Sequence, residues 1–172
     1  GPMGDRKRYS VLVLGTGKSA RRILGEAILR RLGGGRFTAY SAGSQPKGQV
    51  HPFAIDILKQ FNYKTEGRYS KSWDEFAGKK APHFDFVFTV CDDAAAETCP
   101  VWLGHPMTAH WGMPDPAAVE GTEAERRAAF ADAYGRLHNR LAIFASLPLD
   151  SIDRLALKNR LDKIGQTKKQ PA

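Results

Sequence analysis

The stretch Val11-Leu12-Val13-Leu14-Gly15-Thr16-Gly17-Lys18-Ser19-Ala20-Arg21-Arg22-Ile23-Leu24-Gly25-Glu26 constrains this chain more than any other. An apolar run suited to a buried strand passes into a loop of small residues, and a helix opens on the far side at an arginine. Such a loop also carries chemistry. Its backbone N–H groups converge on one point, the helix N-terminus adds partial positive charge, and an arginine fork can grip two oxygens of one anion. Gly15, Thr16, Gly17, Lys18, Ser19, Ala20 and Arg21 are therefore the candidate anion-binding set.

The same loop has two competing readings. One is a plain strand-to-helix turn with no ligand. The other is a nucleotide phosphate loop, because Gly17-Lys18-Ser19 matches the end of that motif. Its first glycine would have to stand where Leu12 is, so the motif fails at its start and nucleotide hydrolysis is not expected.

Strand and helix patterns alternate along the rest of the chain, which predicts an α/β fold with a parallel sheet and helices on both faces. The expected strands are Tyr9 to Leu14, Phe37 to Ala42, Phe84 to Val90 and Met107 to Trp111. Arg21 to Leu32 is the first helix, stopped by Gly33-Gly34-Gly35, and Pro52 opens a second with apolar Phe53, Ile55, Leu58 and Phe61. Tyr63 to His83 reads as a loop holding a helical turn at Ser72-Trp73-Asp74-Glu75, with Tyr69 and Trp73 as candidate walls of the site. Thr122 and Glu125 form a capping box before a long helix to about Ser146, whose inward stripe is Ala129, Phe130, Ala133, Tyr134, Leu137, Leu141 and Phe144. Ser151 is the expected cap of a last helix with Ile152, Leu155, Leu157 and Leu161 inward, ended by Gly165.

At 172 residues the chain is long enough for a single domain, expected over residues 5–165. Gly1-Pro2-Met3-Gly4 looks like a tag-cleavage scar, and Gln166 to Ala172 reads as a disordered tail. The net charge of +8 does not imply nucleic acid, because the basic residues are scattered without aromatic interleaving or a groove-reading motif. Neither a membrane-length apolar run nor a signal-peptide pattern is present, so the expected location is cytoplasmic with no membrane partner. Cys91 and Cys99 give no disulfide framework and are expected to be free or redox-active. Their combination with His105 and His110 fits no zinc finger or ribbon spacing, and no metal is expected. His51, His83 and His138 stand apart in separate segments.

Ser41-Ala42-Gly43, Thr89-Val90-Cys91-Asp92, Cys99-Pro100 and the string Thr108-Ala109-His110-Trp111-Gly112-Met113-Pro114-Asp115-Pro116-Ala117 extend the pattern of the first loop over nearly the whole chain. Together they resemble the arsenate reductases built on the low-molecular-weight protein tyrosine phosphatase fold. That resemblance implies a three-layer αβα fold with four parallel strands and the anion loop at the strand ends. It implies Arg21 as the ligand of arsenate, phosphate or sulfate, Ser19 as a hydrogen-bond donor to the nucleophile's place, and Asp115 as general acid. It further implies Cys91 and Cys99 as a thiol relay. No bound cofactor is implied, only a reductant: thioredoxin, a glutaredoxin or a low-molecular-weight thiol. The cysteine pair has one residue more between its members than thioredoxin-coupled relatives usually have, so the thiol-redox partner stays open.

Two positions depart from the family pattern. Gly15 stands where the family has its nucleophilic cysteine, and Lys18 where it has asparagine. Glycine has no atom to attack arsenic or phosphorus. Three readings follow: an oxyanion-binding, reductase-like protein inactive in thiol-dependent reduction; a pseudoenzyme or engineered scaffold that recognises phosphorylated partners; and, ranked last, a live phosphatase with Cys91 recruited as nucleophile.

Overall fold

Strands buried on both faces must be covered on both, and parallel pairing is how such strands are used. In the computed structural model, which describes residues 8–16, 20–43, 51–65, 83–92 and 106–166, four strands pair in this way. They are β1 (Tyr9–Gly15), β2 (Phe37–Gly43), β3 (Phe86–Thr89) and β4 (Met107–His110), all parallel, in the order β2-β1-β3-β4. Among the described residues four α-helices accompany them: α1 (Ala20–Gly33), α2 (Pro52–Gln60), α3 (Glu123–Ser146) and α4 (Arg154–Gly165). None of the described helices is long and apolar enough to cross a membrane.

Alternation along the strands divides the core in two. Tyr9, Val11, Val13, Phe37, Ala39, Phe86, Phe88, Met107 and Ala109 share one cluster with buried residues of all four helices. Leu12, Leu14, Ala42, Phe84 and Val87 form a smaller cluster on the other face. The helical turn expected at Ser72–Glu75 lies outside the described residues. Phe144 of α3 wedges into the larger cluster, with ring centroids 5.1 Å from Phe37 and Phe86 and 5.0 Å from Phe88. Trp111 stacks on Phe88 at 3.9 Å, and its indole N–H donates to the Leu161 carbonyl at 2.9 Å. A buried indole that finds its acceptor in this way ties α4 to the end of β4.

Local signals explain most boundaries. Gly34 and Gly35 adopt φ of +52° and +95°, the left-handed region that ends α1 without a Cβ penalty. At the start of α3 the Thr122 hydroxyl accepts from Glu125 N–H at 3.1 Å, and Glu125 accepts from Thr122 N–H at 3.2 Å. The Thr122 N–H, together with the Thr122 hydroxyl donating to the same carboxylate oxygen at 3.0 Å, stabilises the charged Glu125 carboxylate and lowers its pKa.

Three expectations need correction. The cap of α4 is Asp153, whose carboxylate accepts from Ala156 N–H at 3.0 Å, so the helix starts later than Ser151. With that start the inward stripe is Leu157, Leu161 and Ile164, while Leu155 is 69% exposed and Ile152 is half-buried. In α2 the buried positions are Ala54, Ile57 and Leu58. Phe61 is exposed just past the helix end and stacks on Tyr134, centroids 4.6 Å apart.

Candidate functional site

In this strand order the chain leaves β1 toward β2 and leaves β3 toward β4, in opposite directions across the sheet. The carboxyl ends of β1 and β3 therefore flank the crevice where open α/β sheets bind ligands. β1 ends there at Gly15, in register with Gly43, and Thr16 follows. β3 continues through Val90, whose N–H donates to the Leu14 carbonyl at 2.9 Å, to Cys91. Ala20 and Arg21 open α1 on the other side of the loop. Gly17, Lys18 and Ser19 lie outside the described residues, as do Tyr69, Trp73, Cys99 and His105.

Arg21 is wholly buried in the first turn of α1. Its Nη1 donates to the Met113 carbonyl at 2.8 Å, and its Nη2 lies 3.9 Å from Asp115 Oδ2. The structure thus brings together two residues from distant parts of the sequence. Asp115 plays a local part as well: its Oδ1 accepts from Ala117 N–H at 3.0 Å and caps the short turn Pro116–Ala118. Its carboxylate is partly exposed, so one oxygen holds the turn while the other faces the guanidinium at the mouth of the site. A buried cation at the positive end of a helix is electrostatically uncomfortable, and the place complements an anion.

Cys91 is fully buried and disulfide-bonded. That corrects the expectation of a free thiol and leaves the redox-active alternative. Among the described residues, no group of three or more histidine, cysteine, aspartate or glutamate side chains could hold a metal ion.

Four further features escaped the sequence reading. His51 caps α2, its Nδ1 accepting from Phe53 N–H at 3.1 Å while its ring lies 4.6 Å from that of Phe130. Burial lowers its pKa and Arg126 adds to this, whereas the Asp115 carboxylate opposes it; the candidate acid's field therefore reaches this ring. Arg140 is buried in α3, and its Nη1 donates to the carbonyls of Trp111 at 2.9 Å and Gly112 at 3.4 Å, anchoring the segment that carries Asp115. Its pKa is lowered by burial and by Arg136. The available signal was its place on the inward face of α3, three residues after Leu137 and four before Phe144.

Behind the loop, Glu26 is buried, accepts from the Ser41 hydroxyl at 2.6 Å and pairs with Arg30 at 2.8 Å. Fully buried Arg22 has its pKa pushed down to about 10 by desolvation, with Glu26 opposing. The spacing of Arg22, Glu26 and Arg30 on one helical face was the overlooked cue. Last, the Thr89 hydroxyl and His110 Nδ1 lie 2.8 Å apart at the adjacent ends of β3 and β4.

Similarity to known proteins agrees with this geometry. The family model described as low molecular weight phosphotyrosine protein phosphatase matches residues 10–155. An arsenate reductase of Oceanobacillus iheyensis is 32% identical over 135 residues, covering 78% of this chain and 94% of that protein. The arsenate reductase of Bacillus subtilis is 33% identical with the same coverage. The crystal structure of an arsenate reductase from Archaeoglobus fulgidus superposes with a TM-score of 0.63 at 21% identity, over 80% of this chain and 99% of that one. The fold, the buried arginine at the switch point and these relatives lead to one conclusion: the chain belongs to the low-molecular-weight phosphotyrosine protein phosphatase family, among its arsenate reductases.

Proposed function

We propose that this protein binds a tetrahedral oxyanion, arsenate or phosphate with sulfate as an analogue, between the main-chain amides of residues 15–20 and the Arg21 guanidinium. The observation that carries the reading is the placement of Arg21: buried in the first turn of α1, at the switch point, within 3.9 Å of Asp115. A helix N-terminus supplies orphan N–H donors and partial positive charge, and the guanidinium supplies a fork that matches two anion oxygens.

Gly15 occupies the position of the family's attacking thiolate, so the thiol route to arsenite is closed in this chain. Arsenate reduction in this fold begins with a sulfur displacing oxygen at arsenic, and neither Arg21 nor Asp115 can form that bond. Asp115 keeps the place of a proton donor to the departing oxygen, and Cys91 that of a relay sulfur. The relay's own reductant would be an external thiol.

The test is restoration. Wild-type protein is expected to bind arsenate calorimetrically and to show no thioredoxin- or glutaredoxin-coupled arsenate reduction. Gly15→Cys, alone or with Lys18→Asn, is expected to gain turnover. Turnover by the wild type would refute the closed route, and absence of oxyanion binding would refute the site. The same lack of sulfur favours a second reading, a module for phosphorylated partners, which phosphate-competable capture of a phosphopeptide would support.

A further inference from the structure

We infer that helix α4 positions the oxyanion site from behind: it holds the end of β4, and through Trp111 it sets where the Met113 carbonyl and Asp115 stand against Arg21. The inference rests on the proposed anion site and adds a part to it. The match to the family ends at residue 155, so only Arg154 and Leu155 of α4 fall within the matched stretch.

β4 is an edge strand, and such a strand presents main-chain groups along its outer side. The N–H groups of Met107 and Trp111 donate inward, to the Asp85 carbonyl at 3.0 Å and the Thr89 carbonyl at 2.7 Å. The alternate residues Thr108 and His110 face outward, and α4 covers them. Lys158 Nζ donates to the Thr108 carbonyl. Gly165 lies on the His110 carbonyl: a Cβ there would stand 2.6 Å from that oxygen and 2.8 Å from Trp111 Cδ1, closer than real Cβ atoms come. The last residue of α4 thus rests directly on the chain where β4 runs into Trp111.

Trp111 passes the contact on. It is buried, stacks on Phe88 and donates its indole N–H to the Leu161 carbonyl of α4 at 2.9 Å. Its own carbonyl and that of Gly112 accept from Arg140 Nη1 at 2.9 Å and 3.4 Å. The next carbonyl, Met113, accepts from Arg21 Nη1 at 2.8 Å, and Asp115 Oδ2 lies 3.9 Å from Nη2. Met113 follows Trp111 by two residues, a reach of at most about 7 Å. Each carbonyl along it has a donor, so little slack remains to absorb a shift of Trp111.

A terminal guanidinium nitrogen carries two N–H groups; the Met113 carbonyl takes one of those on Nη1 and leaves the other for an anion oxygen. Moving that carbonyl turns the fork, and misaligned donors bind an anion less well. By linkage, a bound anion favours the docked α4 by the same factor.

The test uses the full chain. Gly165→Ala adds one methyl where there is no room and removes no existing bond. Its sulfate Kd, read by calorimetry, is expected to rise about fivefold, the low end of coupling between sites, with a cooperative melt retained. Leu155→Ala, on the exposed side of the same helix, is expected to keep the wild-type value. In the wild type, sulfate is expected to slow hydrogen exchange of the Trp111 indole N–H and of the α4 amides more than that of the α2 amides, and Arg21→Met to abolish the effect. Equal sulfate Kd values for the wild type and Gly165→Ala would overturn the inference. So would α4 protection no greater than that of α2, and this measurement decides the matter if Gly165→Ala does not fold. A merely structural glycine would lower the melting temperature and leave the Kd below the transition in place. If the wild type binds no sulfate, the Arg21 site fails by itself, and the anion-free amide resonances of Met113 and Asp115 decide the role of α4. Movement by Gly165→Ala and not by Leu155→Ala supports it; no movement in either overturns it.

Discussion

Replacing Arg21 by methionine separates binding from folding. The guanidinium is wholly buried, with a donor bond from Nη1 to the Met113 carbonyl at 2.8 Å and a looser 3.9 Å approach of Nη2 to Asp115. An anion taken by the fork gains two charge-assisted hydrogen bonds, about 1.5 kcal/mol each at the low end. Arg21→Met should therefore weaken sulfate or arsenate by about 3 kcal/mol, a factor of roughly 100 in Kd.

The unliganded fold should feel much less. The Met113 carbonyl loses a donor, at a cost of about 1–3 kcal/mol, while the buried charge that had to be desolvated disappears. Thermal unfolding with and without sulfate reads both quantities. The wild-type transition is expected to climb with anion concentration and the variant's to stay nearly flat, with the anion-free transitions a few degrees apart. Arg21→Lys keeps the charge without the fork and should fall between the two. An Arg21→Met protein that folds and still gains the full sulfate stabilisation would refute the assignment of the guanidinium to the anion.

Two other outcomes follow from the caps. Thr122→Ala removes the acceptor for Glu125 N–H at the head of α3 and should cost about 1 kcal/mol in denaturant unfolding, with an unchanged m-value. Burial and Arg126 hold the His51 pKa below its ordinary value of 6.5, so its contribution to stability is fully present above pH 6.5 and declines as pH falls toward the folded-state pKa. His51→Asn keeps a good capping acceptor and should flatten that part of the pH–stability curve; an unchanged slope would place the titration elsewhere.

Much of the fold was legible because local and global signals coincided. The continuous apolar run of β1 and the capping box at Thr122 each left one structural choice. The misplaced residues are those where local rules are degenerate. Ser151 and Asp153 are equally good caps, and the choice of Asp153 turned Leu155 to solvent. Phe61 lies just beyond the last turn of α2, where apolar periodicity no longer dictates direction, and it found Tyr134 as a stacking partner instead.

At the site, Arg21 and Asp115 were readable as a pair only through the family likeness, because their approach depends on how the segment after β4 crosses the head of α1. Arg140 was hidden for the opposite reason. A charged residue on an apolar stripe looks like an interruption until the carbonyls of Trp111 and Gly112 stand opposite it. The disulfide at Cys91 was likewise invisible, since cysteine count and compartment favoured thiols.

Whether a ring of amides closed by Arg21 captures a tetrahedral anion without a nucleophile is decided by a crystal structure of the protein soaked with sulfate or arsenate. The expected result is an anion at the head of α1, beyond the carboxyl end of β1, with both terminal nitrogens of Arg21 turned to its oxygens. A vacant position under saturating anion, or an anion held elsewhere with Arg21 still committed to the Met113 carbonyl, would refute the oxyanion site.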